Sequence, residues 1–175
     1  MPGTAGGIFS TTSDEHDPQG HITEGVENRI AMMRKRMGKL ETAAREIPSS
    51  FKLELFGPRE AEVTLLGWGS TKGAILDAMP SLERPGRRVN FLQVRMMRPF
   101  PAQEVAAILG RSSSVVLIEG NYSGQLGALV REQTGLEPAH RILKYDGRPF
   151  SRNEVVEGVE LALGEGQAEV MVSHA

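Results

Sequence analysis

Three apolar runs, Val63 to Leu66, Val89 to Val94 and Val115 to Ile118, limit what this chain can fold into. Each is apolar enough to be buried on both faces of a sheet. Helical patterns follow them in turn: Ala74, Ile75, Ala78 and Met79; Val105, Ile108 and Leu109; Leu126, Leu129 and Val130. A shorter run at Arg141 to Leu143 adds a strand. Phe51, Leu53 and Leu55 alternate with Lys52 and Glu54, which predicts an edge strand with one wet face. Right-handed crossovers through such helices build an α/β fold: an open, mainly parallel sheet with helices on both faces.

The ends read differently. Residues 1–23 hold glycine, proline, Ser/Thr and acids without periodicity, and are expected to be an irregular segment. Over 24–47, Val26, Ile30, Met33, Met37 and Leu40 recur at 4-3-4-3 spacing and draw an apolar stripe along a linker helix, with Arg29, Lys35 and Arg36 around it. Docking of that stripe on a neighbouring domain or subunit is the expectation; a membrane surface is the alternative, against which stand Glu27, Glu41 and the lack of an aromatic anchor. The α/β domain spans 48–164. Its last helix starts at Ser151, where Ser-Arg-Asn-Glu fits a capping box, and turns Val155, Val156, Val159 and Leu163 inward. Gly164-Glu165-Gly166 ends it, leaving 165–175 as a loose tail.

Composition removes several functions. A chain of 175 residues with 39% hydrophobic content supports one core of ordinary size. No apolar run approaches a membrane span and no signal-peptide layout opens the chain, so a cytoplasmic protein is expected. The absence of cysteine excludes disulfides, a cysteine nucleophile and an iron–sulfur cluster ligated by this chain's thiolates. With 20 Lys+Arg against 22 Asp+Glu there is no basic field for nucleic acid.

Polar groups gather where strands are expected to end. Gly67-Trp68-Gly69-Ser70 leaves a strand and opens a helix, a setting for a tight turn with close backbone approach, for an interdomain contact, or for an anion received by Gly69, Ser70 and Lys72. It fails as a nucleotide fingerprint: Lys72 stands where the third glycine belongs, and the next strand ends in Arg95 rather than an acid. Arg95 and Arg98, in the stiff Arg95-Met96-Met97-Arg98-Pro99-Phe100-Pro101 exit, suit carboxylate recognition or a subunit contact, with plain surface arginine the commoner outcome. Glu119, Asn121 and Gln125 project from the third run and the next helix, suited to interdomain hydrogen bonds or to lining a site completed elsewhere. No nucleophile–base pair stands beside them, and Ser70 lies in no G-x-S-x-G elbow. The Asp14-Glu15-His16-Asp17 cluster with His21 lacks a scaffold for a metal, and His140 reads as structural.

Taken jointly, Gly67-Trp68-Gly69-Ser70-Thr71-Lys72-Gly73, Glu119-Gly120-Asn121-Tyr122-Ser123-Gly124-Gln125 and Lys144-Tyr145-Asp146-Gly147-Arg148-Pro149-Phe150-Ser151 resemble the carboxyl-terminal part of the alpha subunit of 2-oxoacid:ferredoxin oxidoreductases, nearest to the 2-oxoglutarate type. The resemblance extends to Pro2 through Phe9, Glu15-His16-Asp17, Gly20-His21-Ile22, Glu27-Asn28-Arg29 and Lys35-Arg36-Met37; Ser13 departs, standing where the family commonly has glycine. It implies a domain similar to the carboxyl-terminal domain of transketolases. It also implies a complete enzyme that uses thiamine diphosphate, magnesium, an iron–sulfur cluster and CoA to oxidise a 2-oxoacid and form an acyl-CoA. This chain alone would bind none of those cofactors. Its implied partners are a beta subunit, the missing amino-terminal part of the alpha subunit and, indirectly, ferredoxin. Gly3, Gly7 and the Glu119 to Gln125 turn are the parts the family geometry would bring nearest the active site. A stand-alone anion- or protein-binding module is the alternative.

Overall fold

The computed structural model describes residues 3–7 and 12–173, which divide into two units, 1–46 and 47–175. In the larger unit a short helix α2 (Ser49–Lys52) leads to β1 (Leu53–Phe56). Strands and helices then alternate: β2 (Val63–Trp68), α3 (Lys72–Leu82), β3 (Val89–Val94), α4 (Ala102–Leu109), β4 (Ser114–Glu119), α5 (Gln125–Thr134), β5 (His140–Leu143), α6 (Arg152–Glu165) and β6 (Glu169–Met171). The sheet order is β1-β3-β2-β4-β5-β6; β1 runs antiparallel to β3 and every other pair is parallel. The expected α/β sheet, with helices on both faces, is thereby observed.

Successive residues of the central strands point to opposite faces and build two cores. Leu65, Phe91, Val116, Ile118 and Ile142 face Ile75, Ala78 and Leu82 of α3 and Val155, Val159 and Ala162 of α6. Leu66, Leu92, Val94 and Leu117 face Val105 and Leu109 of α4 and Leu126 and Val130 of α5. The chain leaves β2 toward β3 over the first face and leaves β4 toward β5 over the second, the arrangement a constant crossover hand requires. The loops after the adjacent strands β2 and β4 therefore diverge, opening a crevice at a topological switch point.

Three expectations need correction. Phe51 lies in α2, exposed, and the edge strand starts at Leu53 with all four residues half-buried, so the dry-wet alternation is absent. The inner face of α6 is Glu154, Val155, Gly158, Val159 and Ala162, with Val156 and Leu163 only partly buried; the capping box at Ser151 is present. The tail is not loose throughout: after Gly166 ends α6 in the left-handed region, β6 pairs with β5 and buries Val170.

The smaller unit has no comparable core. Its helix α1 (Val26–Glu46) buries no residue, and Val26, Ile30, Met33 and Met37 of the predicted stripe are exposed. The segment before it is more ordered than expected. Asp17 Oδ1 accepts the amides of Gln19 and His21, both at 2.9 Å, and Gly20 adopts φ +87° at the turn. His16 and Ile22 pair as an antiparallel bridge. Glu15 then meets Arg36 through two contacts, of 2.5 and 2.6 Å, and Arg29 at 2.5 Å, while Asn28 Nδ2 donates to the His16 carbonyl at 3.2 Å. The acid-histidine cluster is thus a fastener between turn and helix, and no metal-binding trio of His, Cys, Asp or Glu occurs among the described residues. No helix among them is long and apolar enough to cross a membrane.

Candidate functional site: the strand-end crevice

The crevice is built from backbone first. At Gly67 a side chain is impossible without displacement: a Cβ would stand 2.9 Å from Ile75 Cδ1 and 3.0 Å from Thr71 Oγ1. Its absence lets the chain turn directly from β2 through a 3-10 turn (Gly69–Thr71) into α3. This is the tight turn anticipated for Gly67-Trp68-Gly69-Ser70. Across the gap, the Glu119 side chain is 1% exposed and fully engaged: it accepts the Trp68 indole N–H at 2.8 Å and the Leu126 amide, in the first turn of α5, at 2.9 Å. A carboxylate is favoured at that helix end. Glu119 therefore ties the tip of β2 to the start of α5 and does not reach outward as an interdomain contact would. Asn121 is similar in part, since its Oδ1 accepts the amides of Gly124 at 2.8 Å and Gln125 at 3.3 Å.

The third wall follows β5. Lys144 has a fully buried side chain; it donates to Glu154 at 2.6 Å and to the Pro149 carbonyl at 3.0 Å, with Asp146 at 3.7 Å. Burial alone would raise the Glu154 carboxyl, but hydrogen bonds from Lys144 and Ser151 prevail and hold it below the ordinary carboxylate value. This buried pair joins the loop over residues 145–150 to the capping box of α6. Two adjoining hollows result. One, of about 330 Å³, is lined by Ser70, Thr71, Gly120, Lys144 and the 145–150 loop; the other, of about 220 Å³, by Trp68 through Thr71 with Gly120 and Asn121.

Ser70 and Gly69 line this crevice, but Lys72 does not join them. Its ammonium stands 3.7 Å from Glu54 and 4.6 Å above the Phe56 ring, drawn to the sheet edge. The anion trio is accordingly split. Arg95 is likewise committed, donating to Glu54, to Gln93 at 3.1 Å and to the Ser50 carbonyl at 3.0 Å. Arg98 is exposed and absent from both hollows, and Gln125 is exposed at the first position of α5. Gly3 opens a turn in the smaller unit that Gly7 closes by donating to the Thr4 carbonyl at 2.9 Å; Pro2, Ile8 and Phe9 lie outside the described residues. What the motif reading overlooked is aromatic. Trp68, Tyr122 and Tyr145, one from each strand-end loop, are 40%, 74% and 52% exposed, and the two tyrosines meet edge to face with centroids 5.0 Å apart. Their signal was an aromatic at or just beyond the end of each of three strands.

A doubly wound α/β domain with a switch-point crevice is the class this geometry defines. Residues 61–155 match the family described as pyruvate:ferredoxin oxidoreductase core domain II. The chain belongs to that family. It is 42% identical over 161 residues to the 2-oxoacid:ferredoxin oxidoreductase subunit alpha of Saccharolobus solfataricus, a match spanning 92% of this chain and 26% of that protein. The corresponding subunit alpha of oxidoreductase 1 from Aeropyrum pernix is 39% identical over 172 residues, 97% of this chain and 27% of the relative. Among solved structures, the 2-oxoglutarate:ferredoxin oxidoreductase of Magnetococcus marinus, with 2-oxoglutarate, coenzyme A and succinyl-CoA bound, superposes with a TM-score of 0.74 at 28% identity, over 91% of this chain and 27% of that one. The chain therefore spans about a quarter of the length of the relatives it matches.

Proposed function

We propose that the chain serves as the core-domain-II component of a thiamine-diphosphate-dependent 2-oxoacid:ferredoxin oxidoreductase that forms acyl-CoA, of the 2-oxoglutarate type. Its role is assembly and completion of an active site whose chemistry lies on other polypeptide. The observation that carries this reading is the convergence of three motif-bearing loops on one crevice, in a chain 42% identical to an oxidoreductase alpha subunit. The Magnetococcus relative's 2-oxoglutarate and coenzyme A favour the substrate class.

The described residues of this chain form no trio for a magnesium ion and offer no thiolate for a cluster. Glu119, the carboxylate at the end of β4, is engaged by Trp68 and Leu126. The chain has no cysteine for a cluster. Its own part is to present the Ser70, Gly120 and Asn121 rim, and Gly3 to Gly7, to a neighbouring domain. A beta subunit and the remainder of an alpha subunit are the partners in this reading, with ferredoxin reached through them, in the cytoplasm.

Calorimetric titration of the isolated chain with thiamine diphosphate and magnesium tests the division of labour. No heat of binding is expected, whereas co-expression with the remaining subunits restores 2-oxoglutarate-dependent, CoA-dependent ferredoxin reduction. Saturable micromolar binding by the chain alone would overturn it.

A further inference from the structure

Trp68, Tyr122, Tyr145 and Arg148 stand on one end of the sheet, contributed by the loops after β2, β4 and β5. Each ring is exposed, yet none hangs on a loose support. The indole is fixed by the buried Glu119 carboxylate at 2.8 Å. Tyr122 lies inside the turn that Asn121 closes on Gly124, and Tyr145 directly follows Lys144, whose buried ion pair holds the 145–150 loop. Arg148 gives its backbone amide to Asp146 at 2.9 Å, while its guanidinium has no hydrogen-bond or ion-pair partner among the described residues.

We infer that this rim is a protein-docking surface whose occupant is another polypeptide region of the oxidoreductase, one presenting an apolar side chain to the aromatic trio and a carboxylate to Arg148. The inference rests on the component reading above and names which surface of the chain is used. Small-molecule sites bury most of their ligand; these three rings are instead largely exposed beside the two hollows. Exposed Trp, Tyr and Arg are residue types enriched among those that dominate binding energy at protein interfaces. The indole is already held by Glu119, so docking orders little at Trp68. An occupant is at hand in the relatives, where about three quarters of the subunit lies outside the region this chain matches.

Photo-cross-linking tests it. The tagged full chain, carrying benzoylphenylalanine at Tyr122 or Tyr145, or at exposed Leu161 on α6 as control, is irradiated in its native cell and cross-linked peptides are identified by mass spectrometry. Cross-links from both tyrosine positions, but not from Leu161, to another oxidoreductase polypeptide are expected. Joint Tyr122→Ala and Tyr145→Ala substitution should then weaken binding of that polypeptide roughly thirtyfold with the unfolding midpoint unchanged. If an oxidoreductase polypeptide co-purifies but cross-links reach only a second copy of this chain, or nothing, the docking inference fails and the component reading stands. If no oxidoreductase polypeptide co-purifies, both fail. Saturable quenching of Trp68, the sole tryptophan, by CoA added to the chain alone would make the crevice a small-ligand site and overturn the inference.

Discussion

The two units are held by opposite means. Residues 47–175 bury apolar side chains on both faces of a six-stranded sheet, with Leu65, Phe91, Leu117 and Ile142 wholly inside. Residues 1–46 bury no residue of α1 and depend on Glu15, Asp17 and Asn28, polar groups joined to arginines and backbone. Apolar burial yields roughly 1.5 to 3 kcal/mol per large side chain, whereas an exposed ion pair contributes little. The first unit therefore owns its stability. The second has a defined shape but leaves Val26, Ile30, Met33 and Met37 of its apolar stripe exposed.

The largest effect expected is in the α/β unit. Lys144→Met leaves Glu154 buried without its cation, a loss of about 3 to 5 kcal/mol. Urea unfolding should show it, with the 12–25 turn unaltered by hydrogen exchange. An effect confined to the smaller unit would break the contrast. Next comes the stripe: changing Ile30 and Met33 together to Glu should leave the midpoint of the isolated chain in place, because both are already exposed, yet abolish pull-down of the remaining subunits. Each lost contact there is worth about 1.5 to 3 kcal/mol. Undiminished assembly would show that the stripe faces something else.

The sheet was readable because its three central strands are dry on both sides, and each helix between them repeats at its own period. What stayed hidden depended on partners far along the chain. Nothing local to Lys72 shows that Glu54 and Phe56 will draw it from the crevice. Glu119 was correctly set at a strand end, but its inward course follows from the Trp68 indole, 51 residues earlier, and the amides of α5. The last strand escaped because three residues with one inward side chain, Val170, make no pattern. The same limit applies to the aromatic rim, whose members come from three separate loops.

Asn121 gives a smaller expected effect within the stable unit. Asn121→Ala removes the acceptor for the Gly124 and Gln125 amides in the turn leading into α5, a change worth about 0.5 to 1.5 kcal/mol, and more where an amide is left without a partner. In the assembled enzyme, turnover should fall roughly threefold to thirtyfold if the loop lines the site, at about 1.4 kcal/mol per decade. Kinetics with 2-oxoglutarate and CoA varied separately would tell which one the loop serves. Unchanged kinetics in a fully assembled complex would reduce Asn121 to a turn-closing residue.

The gentlest change probes the smaller unit by pH. Arg36, and after it Arg29, hold the Glu15 carboxyl down, from an ordinary value of 4.5 to about 2. A carboxylate whose pKa is lowered by folding contributes stability that is fully present above the unfolded value and is lost as pH falls through the folded one. Glu15 should therefore fasten the turn to α1 throughout the range above about pH 4.5 and release it only toward pH 2. Carboxyl-carbon NMR titration reads the pKa, and amide exchange over residues 15–23 reads the fastening. Both should weaken in molar salt, which screens exposed charges over about 3 Å. Glu15→Gln should loosen the turn at neutral pH while the unfolding midpoint of the α/β unit stays where it was. If the midpoint moves instead, Glu15 supports the larger unit as well, and the contrast between a self-sufficient core and a polar appendage dissolves at this residue.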